Sequence, residues 1–117
     1  MKKVLFISGS LGLGHVGRDL EIVGALRKLR PEVEVSWMAE SPASDMLRKA
    51  GEKLLPESSL LYKANAVLEE SAKEYKANLV QWAMNVRKGW AKNCKVYTKV
   101  FESYKFDLLI GDETYDI

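Results

Sequence analysis

Several things are scarce in this chain, and each scarcity closes a route. One cysteine, Cys94, stands among 117 residues, so no internal disulfide can form and a reducing compartment is expected. A single histidine, His15, with that one distant cysteine, makes no metal ligand set. The formal net charge is only +2, too little by itself to argue for nucleic acid, and no aromatic-studded basic motif of an RNA- or DNA-binding module is present. No apolar run approaches the roughly 20 residues of a membrane span, and the run after Lys3 is too short for the core of a secretory leader. A cytoplasmic protein is expected. Repeats and low-complexity tracts are absent, and the chain is 47% hydrophobic and 29% charged. That is the composition of one ordinary soluble globular domain, with no room expected for a second.

Against this background one stretch is dense with meaning. Residues 8–17 read SGSLGLGHVG, four glycines and the histidine together, directly after the apolar run Val4, Leu5, Phe6, Ile7. Glycine permits close backbone approach, so a strand that runs into Gly9, Gly12 and Gly14 before an amphipathic segment should cross tightly into a helix. The N–H groups at such a helix start suit an anion or a polar substrate. His15, at the mouth of the turn, is the side chain best suited to chemistry.

Along the chain, residues 2–8 form a nearly continuous apolar run, the pattern of a central strand buried on both faces of a parallel sheet. Val16, Leu20, Val23 and Leu26 then recur at helical spacing until Pro31 forbids continuation. Residues 32–38 alternate Val33, Val35 and Trp37 with Glu32, Glu34 and Ser36, which predicts a strand less buried on one face. Ser41 or Ser44 should cap a short helix through Met46, Leu47 and Ala50, ending at Gly51. Residues 53–55 suggest a brief strand before Pro56. From Ser59 onward Leu61, Ala64, Leu68, Tyr75, Leu79, Trp82 and Val86 keep three- and four-residue steps, predicting a long helix or two in series with a break near Gly89. A second helical segment is expected over roughly 91–104, with Val96, Val100 and Tyr104 on one side. A last strand is expected over 106–110, followed by an acidic turn of Gly111, Asp112 and Glu113. Strands alternating with helices predict a three-layer, Rossmann-like α/β domain with a parallel sheet and helices on both faces. In such sheets ligands bind beyond the carboxyl ends of the strands. The glycine turn and the acidic turn, Glu113 included, both lie there.

If the first and last strands are neighbours, His15 and Asp112 face each other. An imidazole can accept a proton at physiological pH, and a carboxylate on its other nitrogen fixes the tautomer and stabilises the imidazolium. The plainer alternative is that His15 caps the helix start and Asp112 and Glu113 open a solvated turn.

The run VLFISGSLGLGHVGRDLEIVGALRKLRPEVEVSWMA resembles the opening of a GT-B glycosyltransferase, the class that includes transferases using UDP-sugars. FDLLIGDETYDI resembles a later strand of the same N-terminal domain. The resemblance implies that His15 is the base acting on an acceptor hydroxyl and Asp112 its aspartate partner, as the catalytic pair. It implies that Gly9, Gly12 and Gly14 lie against the substrates and their phosphates. The donor would be a nucleotide sugar, with no resident cofactor or metal. A complete GT-B enzyme has a second Rossmann-like domain carrying most of the nucleotide-sugar site, and this chain does not supply it. Catalysis by the chain alone is therefore not expected, and a donor-domain partner chain is.

Two further readings stand beside that one. Gly12, Gly14 and Gly17 also spell GxGxxG, with Glu40 near the right distance to hold a ribose, as in an NAD(P)-binding Rossmann domain. Against it, Gly12 comes four residues after Ser8 rather than at the strand's end, and a histidine inside the motif would crowd the pyrophosphate. A nucleotide-binding or purely interacting α/β domain without a reaction is the other. Arg87, Lys88, Lys92, Lys95 and Lys99, with no acidic residue among them and with Trp82 and Trp90 nearby, suit either a solvated basic face with core tryptophans or a peripheral contact with anionic lipid. Trp37 and Tyr75 are core candidates. An isolated partial sheet leaves an edge and an apolar face open, which favours a partner or a homodimer.

Overall fold

The computed structural model describes residues 2–9, 13–62, 79–112 and 114. Its elements are β1 (Lys3–Ser8), α1 (Leu13–Leu29), β2 (Glu34–Met38), α2 (Ala43–Lys49), a 3-10 turn (Pro56–Leu60), α3 (Leu79–Tyr104) and β3 (Leu108–Asp112). The three strands form one parallel sheet in the order β2-β1-β3, so the first strand is central, as its unbroken apolar run predicts.

Alternation along β1 sends side chains to two cores. Val4 and Phe6 join Val16 and Val23 of α1, Val35 and Trp37 of β2, and Ala43 and Leu47 of α2. Leu5 and Ile7, on the opposite face, join Met38, Leu55, Leu61, and Tyr97 and Val100 of α3. Helices therefore cover both faces, giving an α/β fold with a small, open three-stranded sheet. Each fully buried aliphatic or aromatic side chain of these clusters is worth about 1.5–3 kcal/mol. The Phe6 and Trp37 rings stack at 4.6 Å. The Trp37 indole N–H, inside the core, donates to Glu52 Oε2 at 2.9 Å, and Glu52 in turn holds Arg27 through two bonds of 2.6 and 2.7 Å.

Several boundaries differ from expectation, each for a physical reason. α1 begins at Leu13, so Gly14 and His15 lie in its first turn and not in a loop before it. Ser36 of β2 is buried, because the second core covers the face that alternation marks as the more polar one. Residues 53–55 shrink to a single bridge between Leu54 and Trp37, with the Trp37 N–H on the Lys53 carbonyl and the Leu55 N–H on the Trp37 carbonyl, both at 2.8 Å. Neither serine caps α2: its N-cap is Pro42, after a cis Ser41–Pro42 peptide, and Ser41 Oγ donates to Asp45 at 3.1 Å. Gly51, at φ 78°, takes the left-handed turn that ends this segment.

The helix expected from Ser59 is a 3-10 turn at its start, and Ala64, Leu68 and Tyr75 lie outside the described residues. Gly89 breaks nothing. α3 runs through it, and the Tyr62 ring lies where a Cβ at position 89 would be, with the Tyr62 N–H donating to Asn93 Oδ1 at 2.7 Å. Val100 is buried and Val96 and Tyr104 half-buried on the sheet-facing side, while Trp90 is 43% exposed. Lys105, at φ 52°, turns the chain out of α3, and Phe106 stacks on Tyr104 at 5.8 Å. The last strand is thereby delayed to Leu108 and takes in Gly111 and Asp112. Leu108 and Leu109 of this strand remain 53% and 40% exposed. Among the described residues no helix is long and apolar enough to cross a membrane.

Candidate functional site

The carboxyl ends of β1 and β3 meet the first two turns of α1. Ser8 pairs with Asp112 in the parallel register, and the Gly9 N–H continues the ladder onto the Asp112 carbonyl at 2.9 Å. Gly111 is small because a Cβ there would lie 2.5 Å from Thr114 Oγ1. Asp112 is therefore the last residue of β3, held by backbone on one side and facing α1 with its side chain.

His15 comes from the first turn of α1. Its Nδ1 stands 3.4 Å from Asp112 Oδ2, so the two residues singled out from opposite ends of the chain are brought together, both half-buried. Arg18, one turn further along the helix, reaches the same carboxylate: its Nη2 donates to Oδ1 at 2.9 Å and to Oδ2 at 2.7 Å. That nitrogen also lies 3.1 Å from His15 Nδ1. The imidazole thus has a carboxylate and a guanidinium on the same side, and which of them it bonds depends on the proton at Nδ1.

Behind this exposed layer lies a buried one. Ser8 shares the β1 face of Val4 and Phe6, so its hydroxyl points at α1, where it donates to Asp19 Oδ2 at 2.6 Å. Asp19 is 0% exposed, and its other oxygen, Oδ1, is buried with no hydrogen-bond partner. Burial, together with the neighbouring Asp112 carboxylate, pushes the Asp19 carboxyl up from 3.8 to about 6, against the pull of Ser8 and Arg18. Asp112 goes the other way. Burial pushes it up, but the hydrogen bonds from Arg18 and Asp19 and the positive charges of Arg18 and His15 outweigh that and hold it below its ordinary value.

Arg18, Asp19 and Ser8 are the residues that sequence reasoning missed. A signal for Asp19 was present: it falls three residues after Val16 and four before Val23, on the apolar stripe, where a carboxyl must be buried. Arg18 carried none, because an arginine one turn from a histidine on a helix surface is ordinary.

The glycines part company. Gly9 belongs to the strand end and Gly14 to the helix, with open space where a Cβ would go. Gly12 and Glu113 lie outside the described residues. Gly17 faces Met46 of α2, whose Cε would be 4.0 Å from an added Cβ, so it does not serve the close helix-to-strand approach of the third glycine in a dinucleotide fingerprint. Glu40 follows β2, nearly buried, beside a shallow polar cavity of about 180 Å³ that Ser41, Ser44, Arg48 and Ser58 also line. Among the described residues no three His, Cys, Asp or Glu side chains gather to hold a metal ion. Compared with protein-family models, with curated proteins and with solved structures, the chain matches none.

Proposed function

We propose that this chain is the acceptor-side part of a glycosyltransferase, moving a sugar from a nucleotide sugar, UDP-linked by the resemblance to GT-B enzymes, onto a hydroxyl. The observation that carries this reading is the approach of His15 Nδ1 to Asp112 Oδ2, 3.4 Å, at the carboxyl end of a parallel sheet. With Nδ1 protonated and turned to Asp112, the imidazole has Nε2 to take the acceptor's proton. Asp112, kept ionised by Arg18, then stabilises the imidazolium. Direct attack of the hydroxyl on the anomeric carbon inverts that centre, and the N–H groups in the first turn of α1 favour the phosphates of the leaving nucleotide.

The donor side belongs to a second domain or partner chain. The outward basic residues of α3, with Met84 and Trp90 exposed beside them, suit peripheral contact with an anionic membrane carrying a lipid-linked acceptor. The open edge at Leu108 and Leu109 suits a homodimer or that partner.

The test is a binding titration of this chain with UDP-sugars, polyprenyl-type acceptors, anionic liposomes and nicotinamide dinucleotides. Acceptor or liposome binding with weak UDP-sugar affinity is expected. Micromolar NAD(P) binding would replace this reading with a Rossmann cofactor domain. In the enzyme reconstituted with its donor side, His15→Ala should lower turnover by roughly 100-fold or more, and unchanged turnover would remove His15 from the mechanism.

A further inference from the structure

Beyond the carboxyl end of β2, on the other side of β1 from Asp112, lies the cavity of about 180 Å³ between the start of α2 and the 3-10 turn. Two strand spacings, about 10 Å, separate the ends of β2 and β3, so this cavity is distinct from the His15 and Asp112 cluster. Part of its lining is apolar: Ala39 and Leu61 contribute a buried wall. The rest is rich in hydroxyls. Ser44 and Ser58 are 5% and 6% exposed, withdrawn from bulk water and therefore in need of partners. Ser58 Oγ accepts the Ala39 N–H at 3.4 Å, which leaves its own proton undonated among the described residues. The Ser44 hydroxyl makes no hydrogen bond among the described residues. At the rim, Ser59 Oγ donates to the Pro56 carbonyl at 2.9 Å and keeps its oxygen able to accept. Arg48 gives Asp45 one bond of 3.3 Å from Nη1, with the rest of its guanidinium fork at the mouth. Glu40 and Ser41 line the cavity too, but both have partners of their own.

We propose that this cavity is a binding site for a single sugar ring or a similar cyclic polyol. The unsatisfied groups are of both kinds. The protons of Ser44 and Ser58 and the N–H groups of Arg48 require acceptors, while the oxygens of Ser44 and Ser59 can take donors. A ligand hydroxyl is donor and acceptor at once, and a ring with hydroxyls on its rim and C–H groups on its face matches a hydroxyl-lined cavity with an apolar wall. An apolar ligand would strand the two buried hydroxyls, and an anion would meet the acidic side chains of Glu40 and Asp45 in the same lining. A dinucleotide fits badly on two counts: the volume falls below the roughly 300 Å³ at which sites enclose ligands of drug size, and Glu40, the acid that would hold a ribose, is already engaged. Of a longer glycan only one terminal residue enters. The site goes beyond the proposed transfer and draws on none of its residues. So few polar groups in a shallow cavity give weak binding, in the millimolar range.

The test is an NMR titration of the nitrogen-15-labelled chain with glucose, galactose, mannose, N-acetylglucosamine and myo-inositol in turn, and with inorganic phosphate as the anion. At least one of the sugars or the inositol is expected to shift the amide signals of Ser44, Ser58, Ser59 and Leu61 along a saturable curve, and phosphate is not. Ser44→Ala removes a hydroxyl without adding bulk and should weaken that binding roughly 2- to 10-fold. Ser59→Phe, at an exposed rim position, should block it, and it decides the matter where Ser44→Ala fails to fold. The proposal is overturned if none of these compounds moves those amides at millimolar concentration, if phosphate moves them more tightly than any sugar, or if Ser59→Phe with a native spectrum binds like the parent chain. A chain that holds a sugar here but transfers none sinks the proposed function and leaves this site standing.

Discussion

Replacing Asp19 by asparagine should make the protein more stable at neutral pH and hardly change it in acid. Folding raises the Asp19 carboxyl from 3.8 to about 6, so the folded chain holds its proton more tightly than the unfolded chain. The stability this contributes is fully present below pH 3.8 and is lost as pH rises through about 6. At about 1.4 kcal/mol for each pH unit, the full displacement is about 3 kcal/mol. Solvent at the mouth of the cluster, where Arg18 is largely exposed, screens part of it, leaving about 1–2 kcal/mol. Asparagine matches the acid in size, can still accept from the Ser8 hydroxyl, and never ionises. Urea unfolding of both chains, followed by tryptophan fluorescence from pH 3.5 to 8, should give stabilities that coincide at the acid end, separate as pH rises to about 6 and stay a constant distance apart above it, with the variant ahead. A gap that does not change with pH would refute the reasoning. So would a variant weaker at pH 7.5, because the carboxylate in the field of Arg18 would then be a net stabiliser.

Three further substitutions probe the frame. Glu52→Gln should cost about 1–3 kcal/mol at pH 7 by weakening the bonds to Arg27 and the Trp37 indole. Arg27 holds the Glu52 carboxyl below its ordinary 4.5 against burial, so that stabilisation is present above pH 4.5 and lost as pH falls through the lowered value. The deficit should therefore fade in acid, and an undiminished deficit at pH 3 would count against the ion pair. Gly89→Ala places a methyl in the Tyr62 ring. The overpacking, about 1–3 kcal/mol, should exceed the helix-propensity gain of about 1 kcal/mol, and a higher urea midpoint would show that Tyr62 does not pack there. Leu47→Ala, in the core beneath α2, should cost about 2–5 kcal/mol by calorimetry, with a loss under 1 kcal/mol disproving its close packing.

Much of the frame could be read from local pattern. Val4 to Ile7 announced a doubly buried strand, and the same run put it at the centre of the sheet. Helical spacing from Val16 to Leu26 announced α1. Patterns failed where the deciding partner is remote in sequence. Ser36 looks like a solvent-facing position until the second core covers its face, and Gly89 looks like a breaker until the Tyr62 ring fills its place. The start of α1 departs from local pattern for a related reason: glycines suggest a loop, yet Gly14 and Gly17 are tolerated inside a helix whose other residues pack. At the site, His15 and Asp112 were legible because rare or acidic residues follow strands. Asp19 is hidden in a helical stripe that is otherwise apolar, and Arg18 has its partner 94 residues away.

That separation has a bearing on how the protein is made. β1 acquires its β2 neighbour early, but its other edge stays bare until a strand more than a hundred residues later arrives, with Lys3 bonded to Asp107. A nascent chain emerging from a ribosome therefore carries a half-dressed central strand, sticky on one side, for most of its synthesis. During that interval Arg18 and His15 have no carboxylate from β3 to meet. The cluster at the strand ends closes only when the sheet does, so the Arg18–Asp112 pair is itself a gauge of whether folding has been completed.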